Sequence, residues 1–344
     1  MLNFKEARLE KLAVHYVGNL ADSEGMNLSQ NLVDVDNEVK SVLKTFFLKS
    51  FKEQGLYTFH HESDLNLNEA FHYAKTVFSN PDSLLLQSIN LARHLYECSS
   101  HPMIKSGELY VAYFSDCVIN GEVTEVLGLF KSENRETYLK VFPANGSFEV
   151  QKSEGISINK LDKGCLIFNT EKETGYRVAV IDNTNKNNEA QYWKNKFLKV
   201  KPNEDSYYVT QNYLALCKEF AEEAFPEADK VDKIDLVNNS ISYFSRNDSF
   251  NIKSFEEEVM QEPEIIEKFQ KYKNSFKEEE NVPVFDEFEI SKPALKQSKR
   301  YIRSVIKLDK NFHVYVHGNR QNIIRGFDEQ TGLNTYTLYF KEES

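Results

Sequence analysis

No apolar run in the 344-residue sequence reaches the roughly 18 residues that a membrane span needs. Charges from Met1 to Lys11 fall where a signal peptide would be apolar. These absences point to a cytoplasmic protein with no membrane partner. Cysteine is nearly absent as well: Cys98, Cys117, Cys165 and Cys217 stand far apart, and no pair has zinc-knuckle spacing. They read as small core residues in a reducing compartment. The sequence contains no G-x-G-x-x-G and no P-loop to cradle a phosphate. It has no G-x-S-x-G elbow and no H-E-x-x-H. No cofactor, resident metal or catalytic residue is therefore expected, and the chain reads as a non-enzyme. There is also no internal repeat and no low-complexity tract.

What is present suits a globular chain of about two domains. Forty per cent of residues are hydrophobic and 28% charged, with 25 Phe and 18 Tyr. The net charge of -11 argues against a surface that coats DNA everywhere, but the charge is uneven. Ser291 to Phe327 holds nine Lys or Arg and one acid, Asp309, a net of +8 that leaves -19 on the rest.

Periodicity gives the elements. Leu9 to Val17 reads as a strand, and Asp36 caps a helix with Val39, Val42, Leu43, Phe46, Phe47 and Phe51 on its apolar face. Asn66-x-x-Glu69 resembles a capping box for a helix to about Phe78. Asp82 is expected to cap a third helix with Leu85, Ile89, Ala92 and Tyr96 on one face. The period then becomes two. Leu109–Cys117, Val123–Phe130, Tyr138–Phe142, Phe148–Gln151, Cys165–Asn169 and Tyr176–Ile181 read as strands. Asn120-Gly121 and Asn145-Gly146 are the hairpin turns. A helical block follows an aromatic helix around Trp193, with Pro263 interrupting an acidic stretch from Ser254 to Glu280. Ser291 caps a last helix that ends somewhere between Tyr301 and Leu308. Phe312–His317, Ile323–Phe327 and Thr335–Phe340 are short strands, with Gly318-Asn319 and Thr331–Asn334 as turns. The expected class is α+β: a largely antiparallel central sheet with flanking helices, a helical block, and a small C-terminal helix-plus-sheet segment. The expected domains are 1–200, 201–282 and 283–344.

Two clusters carry candidate chemistry. His60-His61-Glu62-Ser63-Asp64 places four metal-binding side chains within five residues. Neighbouring side chains seldom converge on one ion without distant ligands, so it reads as a solvated loop. Acidic pairs such as Glu122 and Glu125 read as solvated faces. The basic segment is different, because Lys292, Lys296, Lys299, Arg300, Arg303, Lys307 and Lys310 recur every three or four residues. Phosphate neutralisation needs such clustering, which Arg320 and Arg325 would extend. From charge alone, a second reading stands level: the segment docks on Ser254 to Glu289, which has twelve acids and four bases.

Three stretches resemble the bacterial nucleoid-associated NdpA family, the 37-kilodalton nucleoid-associated proteins. The first is Gly155-Ile156-Ser157-Ile158-Asn159-Lys160-Leu161-Asp162-Lys163-Gly164-Cys165-Leu166-Ile167-Phe168-Asn169, with Gly175-Tyr176-Arg177-Val178-Ala179 and Asp182 behind it. The second is Ala190-Gln191-Tyr192-Trp193-Lys194-Asn195-Lys196-Phe197-Leu198, followed by Tyr207-Tyr208-Val209-Thr210 and Cys217-Lys218-Glu219-Phe220. The third runs from the basic helix at Leu295 to Tyr301 into Phe312-His313-Val314-Tyr315-Val316 and Asp328-Glu329-Gln330-Thr331. The resemblance implies association with the nucleoid and with DNA, in some members RNA. It also implies a type II topoisomerase as a partner, and it transfers no catalytic residue. The expectation is a nucleic-acid-binding protein that contacts the phosphate backbone with little sequence specificity through Lys292, Lys296, Lys299, Arg300, Arg303 and Lys307. The alternative is an acidic adaptor that binds or regulates a DNA-processing enzyme.

Overall fold

The computed structural model describes residues 2–52, 55–184, 192–225, 229–280, 282–302, 305–309, 311–315 and 322–342. The chain forms two compact units, residues 1–203 and 204–344.

In the first unit the strands are β1 (Leu2–Asn3), β2 (Arg8–Val17), β3 (Met26–Asn27), β4 (Tyr57–Phe59), β5 (Gly107–Ile119), β6 (Glu122–Ser132), β7 (Glu136–Ala144), β8 (Ser147–Gly155), β9 (Lys163–Phe168), β10 (Arg177–Asp182) and β11 (Val200–Pro202). Nine of them build one sheet in the order β11-β4-β10-β9-β6-β5-β2-β3, with β1 also on β5. Every pairing in it is antiparallel. The class is α+β, as the hairpin signals required. Asn120 and Gly121 hold φ of 51° and 88°, the two left-handed positions of a tight hairpin turn.

Helices cover both faces of this sheet. One is α1 (Asn37–Leu48), where the Asp36 side chain accepts from the Val39 N–H at 2.8 Å. Its Phe46 and Phe47 pack with Phe114, Phe130, Leu166 and Phe168. The others are α2 (Glu69–Ser79) and α3 (Leu84–Cys98), which lie with Trp193 and Phe197 against Leu127, Leu129, Cys165 and Ile167. Successive residues of β6 and β9 thus enter opposite cores, so these strands are apolar almost throughout.

Three local expectations need correction. The capping box at Asn66 does not form, because a 3-10 turn, Leu65–Leu67, precedes α2. Asn68 is the cap: it accepts from the Phe71 N–H at 3.0 Å, while its amide donates to the carbonyls of His60, Leu198 and Lys199. Asp82 does not cap α3, since Pro81 opens a 3-10 turn one step earlier and Asn80 caps that turn. The Asp82 carboxylate pairs with Lys11 instead. The buried stripe of α3 is Leu84, Leu91, Ala92 and Leu95, with Gln87, Ser88 and His94 beside them. An apolar count skips those polar residues. Ser88 bonds to His15 at 2.8 Å and His94 to the Phe197 carbonyl at 2.9 Å, and these bonds make their burial tolerable.

In the second unit, α4 (Ser206–Glu223) is capped by Asp205, which accepts from the N–H groups of Tyr207 and Tyr208. It packs with α5 (Lys230–Arg246). A short α6 (Ile252–Phe255) runs on as a π-helical turn to Met260, and α7 (Pro263–Glu279) starts at the proline that breaks the acidic stretch. The last helix is α8 (Lys292–Tyr301). Small ribbons complete the unit: β12 (Ser249–Asn251) with β13 (Glu287–Glu289), β14 (Val305–Leu308) with β15 (Phe312–Tyr315), and β16 (Ile323–Asp328) with β17 (Leu333–Leu338). The core is aromatic. Phe250 lies 4.3 Å from Tyr213 and 4.8 Å from Phe288 between ring centroids, with Phe244 and Phe255 around them. Leu295 of α8 belongs to the same core as Phe269 and Phe276 of α7.

Candidate nucleic-acid interface

The basic segment begins on α8. Its N-terminus is fixed by the Ser291 hydroxyl, which accepts from the Ala294 N–H at 3.3 Å, and Pro293 occupies the first turn, where no N–H is needed. Ala294, Leu295 and Ser298 are buried, and the helix packs on α4 and α5. Lys292, Lys296 and Lys299 are exposed and share another side of the helix, since positions four and seven residues apart fall together. The helix ends at Tyr301, so the lysine stripe spans two turns, and Lys307 lies on β14 rather than on a longer helix. Arg303, Lys310 and Arg320 lie outside the described residues, as does the Gly318-Asn319 turn, and so do the side chains of Arg300 and Lys307.

The lysines do not share one environment. The Lys292 ammonium reaches the C-terminal end of α5. It donates to the carbonyls of Phe244 at 3.4 Å and Ser245 at 3.2 Å, and also to that of Asn247. It pairs with Asp248 at 3.2 Å. A helix C-terminus carries partial negative charge, so this cation is held by α5 and its charge is largely answered there. Lys299 donates to the neutral Ser245 hydroxyl at 2.9 Å. Lys296 is exposed. Arg325 on β16 pairs with Asp229, the residue before α5. Among the described residues the lysines' partners belong to α5 and the turn after it, and not to the acidic stretch 254–289. The described ion pairs of that stretch go elsewhere: Lys271 to Glu267 at 2.7 Å, Lys273 to Asp286 at 2.6 Å, and Arg246 to Glu258 at 3.4 Å.

The histidine-rich cluster forms a turn. The His61 Nδ1 accepts from the Ser63 N–H at 3.3 Å, and Asp64 caps the Leu65–Leu67 turn by accepting from the Asn66 N–H at 2.9 Å. Among the described residues no group of three or more His, Cys, Asp or Glu is arranged to hold a metal ion.

The sequence reading missed a charged network inside the first unit. Lys131 and Lys163, on neighbouring strands β6 and β9 and paired across them, are both fully buried. Lys131 donates to the Lys105 carbonyl at 2.6 Å and to the Tyr192 hydroxyl at 3.0 Å, and pairs with Glu133 at 3.2 Å. Lys163 pairs with Asp182 at 2.8 Å and with Glu133 at 3.8 Å, and donates to the Thr184 hydroxyl at 2.6 Å. The Tyr192 hydroxyl donates to Glu133 at 2.9 Å, and its ring lies 5.3 and 5.2 Å from the two ammonium groups. Asp162 accepts the Glu133 and Asn134 N–H groups at 2.8 and 2.9 Å. Burial pushes the Lys131 ammonium below its ordinary range against the pull of Glu133, and lifts the Tyr192 hydroxyl well above its own. The available signal was a Lys inside each of two apolar strands, Lys131 after Leu129-Phe130 and Lys163 before Gly164-Cys165.

The sequence pattern of the family described as nucleoid-associated protein YejK matches residues 13–335. The chain belongs to this nucleoid-associated protein family. A search of curated proteins gives no match. The match spans both compact units, so the residues of the buried network and of the lysine-bearing helix lie within the matched range. Its α+β architecture is that expected from the hairpin and helix patterning of the sequence. Among the described residues no helix is long and apolar enough to cross a membrane.

Proposed function

We propose that this nucleoid-associated protein binds DNA, and RNA by the same means, through phosphate contacts with little base specificity, as a cytoplasmic component of the nucleoid with no catalytic role. The observation that carries this reading is the exposed lysine face of α8 within a segment of net charge +8 on a chain of net -11. Concentrated cations release counterions from the phosphate backbone, and a dispersed charge of the same size does not. Lys296 and Lys299 are the leading described contacts, with Arg300, Arg303 and Lys307 continuing the set. Lys292 contributes mainly by holding α8 on α5. Gel shifts of random duplex DNA over a range of salt test the reading. Engaging about four to six cations gives a log–log slope of about -4 to -5. Salt-insensitive or sequence-selective binding would contradict it.

A second reading is the acidic adaptor that engages a DNA-processing enzyme such as a type II topoisomerase. The net -19 outside residues 291–327 favours it, because a partner with a DNA channel presents cations. Affinity for the partner but none for DNA would select it.

A further inference from the structure

A cleft of about 360 Å³ opens in the second unit between the first half of α5 and the turn that leads from Met260 into α7. Pockets that take small molecules begin near this size. Asp232, Asp235, Leu236 and Asn239 are spaced by three and four residues, so they share the side of α5 that lines it. From the other element come Val259 and Met260, both buried, and the half-buried Ile265, with Glu262 exposed at the rim. The cleft thus has an apolar floor below carboxylates. Three acids, Asp232, Asp235 and Glu262, and one cation, Lys233, line it. The Lys233 ammonium donates at 3.3 Å to the Glu222 carbonyl in the last turn of α4, and the negative end of that helix answers its charge. The ion pairs described in this unit use other acids: Asp229, Asp248, Glu258, Glu267 and Asp286. Asp235 accepts from the neutral Asn239 amide at 3.3 Å.

We propose that this cleft binds a linear aliphatic polyamine, with its methylenes on Val259, Met260 and Ile265 and its ammonium groups at Asp235 and Glu262. The lining selects this class of ligand. An anion would be repelled by the excess of carboxylates. A neutral apolar molecule would take water from those carboxylates and return no hydrogen bond. A bare metal ion would leave the apolar floor in water. A polyamine meets both parts of the surface, in the way that a lysine side chain lays its methylene stem on apolar surface and keeps its ammonium at the polar edge. The rim carboxylates stay in touch with solvent, so each ion pair adds little, and the expected dissociation constant is about 0.1–1 mM. Salt should weaken the binding, as it does for any pair of partly exposed charges.

Isothermal titration of spermidine into the full chain, in about 0.1 M salt and without nucleic acid, tests this. The expected result is one site per chain. Replacing Asp235→Asn and Glu262→Gln together should weaken binding about tenfold, with unchanged circular dichroism and melting, because neither carboxylate belongs to a described ion pair. Glu278→Gln with Glu279→Gln removes the same charge at the far end of α7, about 20 Å along the helix and beyond the screening length, and should leave affinity within about twofold. As a second route, Asn239→Lys sets a tethered ammonium four residues from Asp235 and should exclude spermidine from the cleft. No binding by the natural protein up to about 10 mM spermidine would overturn the proposal. So would equal weakening by both double substitutions, since the attraction would then belong to the acidic chain as a whole. Spermidine binding that survives Asn239→Lys, or the changes at Asp235 and Glu262, would overturn it too.

Discussion

Lys163→Met removes one ammonium from the buried network and keeps most of the side-chain length. In the folded protein that ammonium lies 2.8 Å from Asp182, 2.6 Å from the Thr184 hydroxyl and 3.8 Å from Glu133, with no exposure to solvent. Its loss takes a buried cation from Asp182, while Glu133 keeps Lys131, in a place largely closed to water. Breaking a buried ion pair from one side costs about 3–5 kcal/mol, mainly the penalty on the charge left behind. For a unit of this size each kcal/mol lowers the melting temperature by about 2–4 °C, so a fall of about 6–20 °C is expected. Differential scanning calorimetry of the full chain measures it. Adding Asp182→Asn should make the double variant lose less than the two single losses together, by about 1 kcal/mol or more. DNA affinity at 20 °C, where the variant is still folded, should not change, because the network lies outside the basic segment. A melting temperature within about 2 °C of the natural protein's would refute the reasoning. The network would then be relaxed enough to admit water.

Two further outcomes follow from particular side chains. Lys292→Met should lower the melting temperature by a few degrees, since a cation at a helix C-terminus is worth about 0.3–1 kcal/mol, and should change DNA affinity little; a strong affinity loss at unchanged stability would instead place Lys292 on the ligand. The Ser29 N–H donates to the His15 Nδ1 at 3.1 Å, so Nε2 carries the proton toward Ser88, and burial holds this imidazole down to about 4. The unfolded imidazole takes its proton near 6.5 and the folded one only near 4, so stability present above 6.5 should be lost as pH falls through that window. His15→Gln should flatten this acid limb in urea titrations, and an unchanged limb would assign it to other groups.

Much of the fold was legible because local and global signals agreed. Asp36 and Ser291 cap the helices their positions announced, and Asn120-Gly121 and Asn145-Gly146 turn the hairpins. Failures came where a polar side chain is satisfied from far along the chain. Asn68 caps α2 while bonding to the Leu198 carbonyl, and Ser88 is buried because His15 meets it. Short strands such as Tyr57–Phe59 and the edge strand Val200–Pro202 exist only by pairing across the chain, with each other and, for Tyr57–Phe59, with Arg177–Asp182, so no local period marks them. For the candidate site, spacing placed Lys292, Lys296 and Lys299 on one face of α8. It did not reveal that α5 ends beside Lys292 and takes up its charge, since that is a tertiary contact. Likewise, the eye reads Lys131 and Lys163 as two isolated charges, and the antiparallel register of β6 and β9 brings them together.

The central claim is that the C-terminal cations carry nucleic-acid binding. Fluorescence anisotropy of a labelled random duplex decides it when the natural protein is compared with a variant carrying Lys296→Gln, Lys299→Gln, Arg300→Gln and Arg303→Gln. Glutamine keeps most of the aliphatic stem and removes the charge. The account predicts that affinity falls at least tenfold, that the salt slope shrinks by about 0.9 for each phosphate no longer neutralised, and that the melting temperature moves little. Unaltered affinity with a large fall in melting temperature would contradict it and make the segment a structural dock.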